Sequence, residues 1–408
     1  MKFKYIYSVI ILLVTTLVLV WAIPVLVKKA TMSGQNYPFV YYSSLLQDFA
    51  IKKTENRKID YYDSKGNTYT REEYDSITPL LSYRQLTLAG TMPDSILGIE
   101  MDPRMLRVKS VMWRYSPSEI SKPLVNMYLM YEALSGRSTL ESPPDVFRLD
   151  DKIEFIDKES NLVDEKKSEA FQSKMEERGF AFPAKGVWGN PVARKPYDEG
   201  YFVLDNNGEL FHIKQVNGRP YVGNTKAGQS VDIAYFSLYE IADKSIYGFV
   251  ISKTGEIYTV SAEGGYELTK LDIAPIDIHK HSVMMLGNMF YWMINVTGPE
   301  GCTYNVLSVE NKLKKHTEPY FVGSQTDKWD ATAKWLLPVY ISFDNKNTEY
   351  VKPEIVVNFG YAFLISLVLA VIFVFTIGKQ RNTTKKIING IFILIFGIPA
   401  FIASAITK

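Results

Sequence analysis

The chain has 408 residues, 47% hydrophobic and 22% charged, with 46 basic and 44 acidic side chains. Nine of the basic residues and none of the acidic ones fall in 1–29 and 356–408, leaving 37 basic against 44 acidic in 30–355. That acidic middle lacks the basic face a nucleic-acid binder needs, and a single Cys excludes a disulfide framework, a thiolate zinc site and a Cys-ligated iron–sulfur cluster.

The first element is an apolar helix. Residues 5–27 (YIYSVIILLVTTLVLVWAIPVLV) are uncharged over 23 positions, about 34 Å of helix against a hydrocarbon core of ~30 Å. A cleaved signal peptide is the competing reading, with Val20 and Ala22 as its small residues. The apolar run outlasts the ~7–15 residues of an h-region, so 1–29 is read as an anchor with cleavage left open.

Residues 30–185 mix helix and strand. A β-prone stretch at 59–62 turns at Asp63-Ser64-Lys65-Gly66, and Thr70 with Glu73 forms a capping box that opens a short helix. A strand is expected over 104–115 and a helix over 124–134 (LVNMYLMYEAL). A mostly solvated helix over 164–178 should pack through Ala170, Phe171 and Met175 and end at Gly179.

Residues 186–355 are β-rich. Strands are expected at 201–204, 210–215, 235–241, 247–251, 257–260, 282–286, 289–296 and 304–309. Three hairpins share a pattern: DSKGNTYT (63–70), DNNGELFH (205–212) and SKTGEIYT (252–259), each with Gly suited to a left-handed position. Their unequal spacing gives no fixed repeat, so this part is a β-meander, either a partial β-propeller or a stacked-sheet domain. Trp329 and Trp335 either lie at a membrane surface or fill the core.

A second span is expected at 356–378, a basic loop at 379–386 (KQRNTTKK) and a third span at 387–408, kinked by Gly397 and Pro399 or re-entrant. Short basic loops stay cytoplasmic, which puts the amino terminus inside and 30–355 outside. The fold class is therefore membrane-anchored α+β, with three transmembrane helices around a large periplasmic body.

Catalytic signatures are absent: no G-x-S-x-G, H-E-x-x-H, C-x-x-C or G-x-G-x-x-G occurs. Gly218–Lys226 mimics a phosphate loop with its Lys displaced, and Asp205-Asn206-Asn207-Gly208 mimics a calcium loop without its carboxylates. The segment 279–296 (HKHSVMMLGNMFYWMINV) gathers His279, His281, Met284, Met285, Met289 and Met293, a soft set that suits copper. A two-residue turn at Gly287-Asn288 would pair Met284 with Tyr291 and put Met284, Met289 and Met293 on one face, with His279, His281 and Met285 on the other. The methionines then read as core filler, and His279 and His281 remain the candidate metal ligands. His212 reads as a surface or half-buried sheet residue and His316 as solvated. Asp150, Asp151, Glu154 and Asp157 read as the wet side of a strand. Asn295-Val296-Thr297 fits a glycosylation acceptor.

The segments DSKGNTYTREEYDSITPLLSYRQL (63–86), GTMPDSILG (90–98), PPDVFRLDDKIEFID (143–157), GNPVARKPYDEGYFVLDNNGELFHIKQVNGRPYV (189–222) and YGFVISKTGEIYTV (247–260) resemble an uncharacterised family of membrane proteins of Bacteroidota. The resemblance covers most of the chain and carries no catalytic motif. Members of that family are often encoded beside ABC-type transporter components, which implies an inner membrane with a periplasmic body. The expectation is a non-enzymatic, cofactor-free accessory or partner-binding subunit of a transport or export complex, contacting an ABC-type permease and ATPase. The alternative is an anchored periplasmic sensor or binding protein for a small ligand or metal ion.

Overall fold

The computed structural model describes residues 2–31, 37–55, 58–122, 125–134, 136, 139–195, 197–240, 243–299, 301–309, 314–315, 320–323, 328–343, 350–358 and 360–407. The chain forms two compact units: Tyr37–Gly323, and Met1–Asn36 together with Ser324–Lys408. The segment after 323, which the sequence reading attached to the body, groups with the terminal helices.

The chain opens with helix α1 (Lys2–Thr31). Within it Ile6–Thr31 is long and apolar enough to cross a membrane, the one such helix among the described residues. Lacking a charged residue until Lys28, it has no polar face to present to water.

The body starts with an antiparallel meander, β1 (Phe39–Ser43), β2 (Asp48–Glu55), β3 (Lys58–Asp63) and β4 (Thr68–Tyr69). Helix α2 (Arg71–Ile77) begins with the expected capping box, the Glu73 amide donating to Thr70 Oγ1 at 3.2 Å and the Thr70 amide to Glu73 Oε2 at 2.8 Å. Helix α3 (Tyr83–Ala89), the two-stranded β5 (Ser95–Ile96) and β6 (Ile99–Glu100), and helix α4 (Pro103–Val108) follow. The strand expected over 104–115 is thus helical in its first half. Asp102 accepts from the Arg104 and Met105 amides and Pro103 occupies the first turn, two helix-start devices that outweigh the β-prone composition. Only β7 (Val111–Tyr115) is extended, with Val111, Trp113 and Tyr115 inward.

No helix forms over 125–134. The stretch ends in a turn at 133–134 and is tied to other strands by its backbone: Tyr128 bridges Phe147, and the Ala133 amide donates to the Gln215 carbonyl at 2.9 Å. A hairpin of β8 (Asp145–Leu149) and β9 (Ile153–Asp157) carries helix α5 (Glu165–Glu177). Phe171 and Met175 are buried as expected, but Ala170 faces solvent. Ser168 is buried instead, its hydroxyl accepting from the Phe155 amide at 2.9 Å.

Two four-stranded meanders come next: β10 (Gly186–Gly189), β11 (Tyr201–Leu204), β12 (Leu210–Val216) and β13 (Arg219–Asn224), then β14 (Ile233–Leu238), β15 (Ile246–Ser252), β16 (Ile257–Ser261) and β17 (Leu268–Lys270). The last sheet of the body joins β18 (Ser282–Gly287), β19 (Tyr291–Gly298) and β20 (Gly301–Ser308) to the early strand β7, with β21 (Lys314–Lys315) and β22 (Tyr320–Gly323) on β20.

The β18–β19 register differs from expectation by four residues: Met284 pairs with Asn295 rather than Tyr291. The turn lies at Asn288, whose side chain accepts from the Phe290 and Tyr291 amides at 2.8 and 2.9 Å. Gly287 serves packing, since a side chain there would overlap the Trp292 indole.

The three shared hairpins have one geometry. Gly66, Gly208 and Gly255 all sit at φ 87°, and each donates its amide to the carbonyl three residues back. In each, the side chain of Asp63, Asp205 or Ser252 accepts the amide of the residue after the Gly, at 2.8–2.9 Å.

Alternation along the strands gives every central sheet two apolar faces, and the sheets stack in series. β1–β4 packs on the six-stranded sheet through Tyr42, Ile51, Met293 and Val306. The opposite face of that sheet meets β14–β17 through Trp113, Met285, Ile294 and Phe249, with the Trp113 and Phe249 rings stacked 4.3 Å apart. β14–β17 meets β10–β13 through Phe202, Leu210, Phe236 and Val250. The far face of β10–β13 is closed by the β8–β9 hairpin and α5 through Phe147, Phe171, Val203 and Phe211.

In the second unit, helix α6 (Lys328–Leu336) and the hairpin of β23 (Val339–Ser342) and β24 (Glu354–Val357) pack on α1 around Val20, Ala333, Leu337 and Tyr340. Trp329 is part of that core, whereas Trp335 is half exposed and stacks on Tyr361 at 4.2 Å. Helix α7 (Tyr361–Phe375) is apolar and short. Helix α8 (Thr383–Phe396) absorbs the end of the stretch expected as a basic loop. A break at Gly397 separates it from α9 (Ile398–Ile406), with Pro399 in the first turn.

Candidate functional site

The sequence-derived metal candidates lie on the turn ahead of β18. His279 is exposed and His281 half-buried, with the Asp277 amide donating to His281 Nδ1 at 3.1 Å. Asp277 accepts from the His279 amide at 2.9 Å and pairs with Lys280 at 2.8 Å, which lowers its carboxyl pKa. Among the described residues no group of three or more His, Cys, Asp or Glu side chains could hold a metal ion. Met285 points into one core and Met293 into the next, while Met284 and Met289 are half-buried. His316 lies outside the described residues. Of the acidic group at 150–157, Glu154 is buried rather than wet, held by Arg148 and by Lys152 at 2.6 Å, and these ion pairs lower its pKa.

A built cleft of about 640 Å³ lies elsewhere, between β10 and β14. Each of these strands is at the edge of its sheet, β10 paired with β11 and β14 with β15. Aromatic side chains form the walls: Trp188 and Tyr235 meet edge to face at 6.0 Å, with Tyr128 and Tyr201 5.6 Å apart beyond them. Two glycines shape β10. A side chain at Gly186 would overlap the Trp188 indole, and one at Gly189 would overlap the Tyr201 ring. Charged groups come from the 3-10 turn Pro117–Ser121 and its neighbours: Glu119 pairs with Lys122 at 2.7 Å and accepts from Tyr235 Oη at 3.4 Å, and Lys185 also lines the cleft. Burial, reinforced by Glu119, raises the Tyr235 phenol pKa and keeps that hydroxyl a donor.

Asn190 lines the cleft and leads into a buried charge cluster. Lys195, 8% exposed, donates to Asp198, to both Glu240 oxygens at 2.8 and 2.7 Å, and to the Asn190 carbonyl at 2.7 Å. The Asn190 amide group and the Glu199 backbone amide also donate to Glu240, each at 2.8 Å. Two carboxylates thus share one ammonium. Burial, with Glu240 adding to it, outweighs the attraction of Lys195 and pushes Asp198 up to about 6. Asp198 Oδ2 is buried without a hydrogen-bond partner.

The third feature corrects the reading of His212. It is fully buried on β12, stacked on Phe202 at 4.4 Å, with Tyr221, Tyr247 and Tyr266 edge-on around it. Its flanks, Phe211 and Ile213, are also buried, so this strand has no wet side here. Sequence reasoning missed all three features because their parts are brought together by the stacking of sheets. The one local signal was the close spacing of charges in ARKPYDEG.

A solved structure of PorZ, described as an essential bacterial surface component of the type-IX secretion system of human oral-microbiomic Porphyromonas gingivalis, is similar over 71% of this chain and 32% of its own, with 10% identity and a TM-score of 0.21. The chain therefore spans about a third of that protein. Among curated proteins none matches. A family model described as a domain of unknown function, DUF4857, matches residues 39–307, two thirds of the sequence and nearly all of the layered body, and the chain belongs to that family.

Proposed function

We propose that this chain is a membrane-anchored, non-enzymatic binding subunit that holds an extended segment of a partner protein in the cleft between β10 and β14. The supporting observation is that two edge strands line one aromatic-walled cleft, so that main-chain groups and side-chain slots lie together, as β-strand addition requires. We read the stacked meanders as blades of a partial β-propeller, and α7 and α8–α9 as the second and third crossings of an inner membrane. On this reading the basic residues of 379–386 face the cytoplasm and the body is periplasmic. The partner proposed from the family resemblance is an ABC-type permease with its ATPase.

The test places a photo-crosslinking residue at Val187 in the full chain in native membranes. Cross-links to transporter subunits, identified by mass spectrometry and lost in Trp188→Ala, are the expected result. No cross-link, with stabilisation of the detergent-solubilised chain by copper, zinc, haem or a sugar, would instead favour the small-ligand alternative, whose site sizes of ~300–1,000 Å³ the cleft also fits.

A further inference from the structure

Helices α7 and α8 flank an open apolar groove of about 450 Å³. Leu367, Val371 and Val374 line it from α7 and Ile387, Ile391 and Leu394 from α8, spacings that put each set on one helix face. Gly390 lies in the middle, and nothing stands within 4 Å of the position a Cβ would take, so the groove owes its width there to the missing side chain. Thr383 and Lys386 close one end.

The charge at that end is unbalanced. Lys379, Arg381, Lys385 and Lys386 fall within eight residues, and 356–408 holds no acidic residue. Arg381 is engaged with the Ser404 carbonyl at 2.5 Å and lies over the Phe373 ring at 5.5 Å, while Lys385 lines a separate small cavity beside Asn389. Lys386 is half-buried and makes no ion pair among the described residues. A groove without charge along its length and with an unpaired ammonium and a hydroxyl at its mouth is complementary to a molecule with an apolar tail and an anionic head. We propose that this groove binds one anionic phospholipid, its acyl chain between α7 and α8 and its phosphate on Lys386 and Thr383. The proposal rests on the reading of α7 and α8 as membrane-embedded, and basic pockets between helices at a cytoplasmic face are where anionic headgroups bind.

The test reconstitutes the full chain in nanodiscs of equal phosphatidylglycerol and phosphatidylcholine and counts retained lipids by native mass spectrometry after mild detergent extraction. One retained phosphatidylglycerol per chain, enriched about fivefold over phosphatidylcholine, is expected, the factor one lysine near an anionic surface supplies. Lys386→Gln should remove the enrichment and keep a bound lipid. Gly390→Leu, which fills the groove without a backbone clash, should remove the lipid. Retention in the bulk ratio, enrichment unchanged in Lys386→Gln, or displacement of the lipid by inorganic phosphate alone would overturn the proposal. Labelling of Gln380→Cys by an impermeant thiol reagent in membrane vesicles of each orientation separates the two readings: a cysteine reached only from the face opposite the cytoplasm sinks the spanning reading, and one reached only from the cytoplasmic face, without lipid enrichment, sinks only the lipid site.

Discussion

Tyr266 donates its phenolic proton to His212 Nδ1 across 3.0 Å, and the direction of that bond is fixed from the far side of the ring. Nε2 lies 2.6 Å from the Glu199 carbonyl, which can only accept, so Nε2 carries the proton and Nδ1 the lone pair. Tyr266 then accepts from Tyr221 at 3.0 Å, and a one-way chain runs from the half-exposed Tyr221 to the backbone of the half-buried Glu199. Glu199 is held in place by Lys214 at 2.6 Å. The ring is a structural lock that ties β12 to the loop before β11 and to Tyr266 beyond β16.

A locked neutral imidazole makes stability depend on pH. Burial, with the Lys214 charge adding to it, holds His212 down to about 3. Between that value and the unfolded 6.5 only the unfolded chain takes up the proton, so the contribution is fully present above 6.5 and is lost as pH falls. Thermal unfolding of the solubilised chain should weaken below pH 6.5 with a slope of up to ~1.4 kcal/mol per pH unit from this group. His212→Phe keeps the stacking but leaves the Glu199 carbonyl without its donor and the Tyr266 hydroxyl without its acceptor. It should cost ~1–3 kcal/mol at pH 7.5 and flatten the acid slope. An acid slope unchanged in that variant would assign the effect elsewhere.

The Lys195 cluster acts with the opposite sign. Asp198 is raised from 3.8 to about 6, so the folded chain holds the extra proton in that interval and stability is lost as pH rises through 6. Removing the ammonium with Lys195→Met strands two buried carboxylates and should cost ~3–5 kcal/mol. Asp198→Asn keeps an acceptor for Lys195 and leaves one carboxylate to one ammonium. It should be nearly neutral at pH 7 and should steepen the acid loss between pH 4 and 6, where the His212 contribution is no longer offset. A Lys195→Met chain as stable as the parent would show that the cluster is solvated.

Helix α2 offers a check on local energetics. Its capping box satisfies two amides at the helix start, and Tyr74, one residue beyond Glu73, is buried under it, with its ring 4.8 Å from Tyr61. Thr70→Ala should lower stability by ~1 kcal/mol, read as a shift in the unfolding midpoint, and Thr70→Ser by less.

Features written in neighbouring residues were legible in the sequence. The capping box at Thr70 and Glu73 and the three Gly turns are formed as the residue types dictate. The hairpin of β18 and β19 shows how a local reading fails while its consequence survives. The Asn288 turn shifts the register by four residues, an even number, so Met284 and Met293 still share a face opposite Met285. The stretch 125–134 was misread because its partners, Phe147 and Gln215, lie outside any local window. The cleft was invisible for the same reason: Glu119, Trp188 and Tyr235 come from three separate segments.

The three Gly turns also rank against one another. All share φ 87°, where an L side chain costs ~1–2 kcal/mol, so Gly66→Ala and Gly208→Ala, with open space around the new methyl group, should lose about that much. Gly255 bears a second constraint. Its amide donates to the Ser252 carbonyl, its own carbonyl accepts from the Ile276 amide at 2.9 Å, and a methyl group would overlap the Ile276 carbonyl oxygen. Relief would require moving the segment after β17, which seats Leu271 and Ile276 in the core between β14–β17 and the six-stranded sheet. Gly255→Ala should therefore cost well over twice what Gly66→Ala does, measured as the difference in unfolding free energy of the full chain. Equal losses in the three variants would mean that the Ile276 segment yields freely and does not close that core.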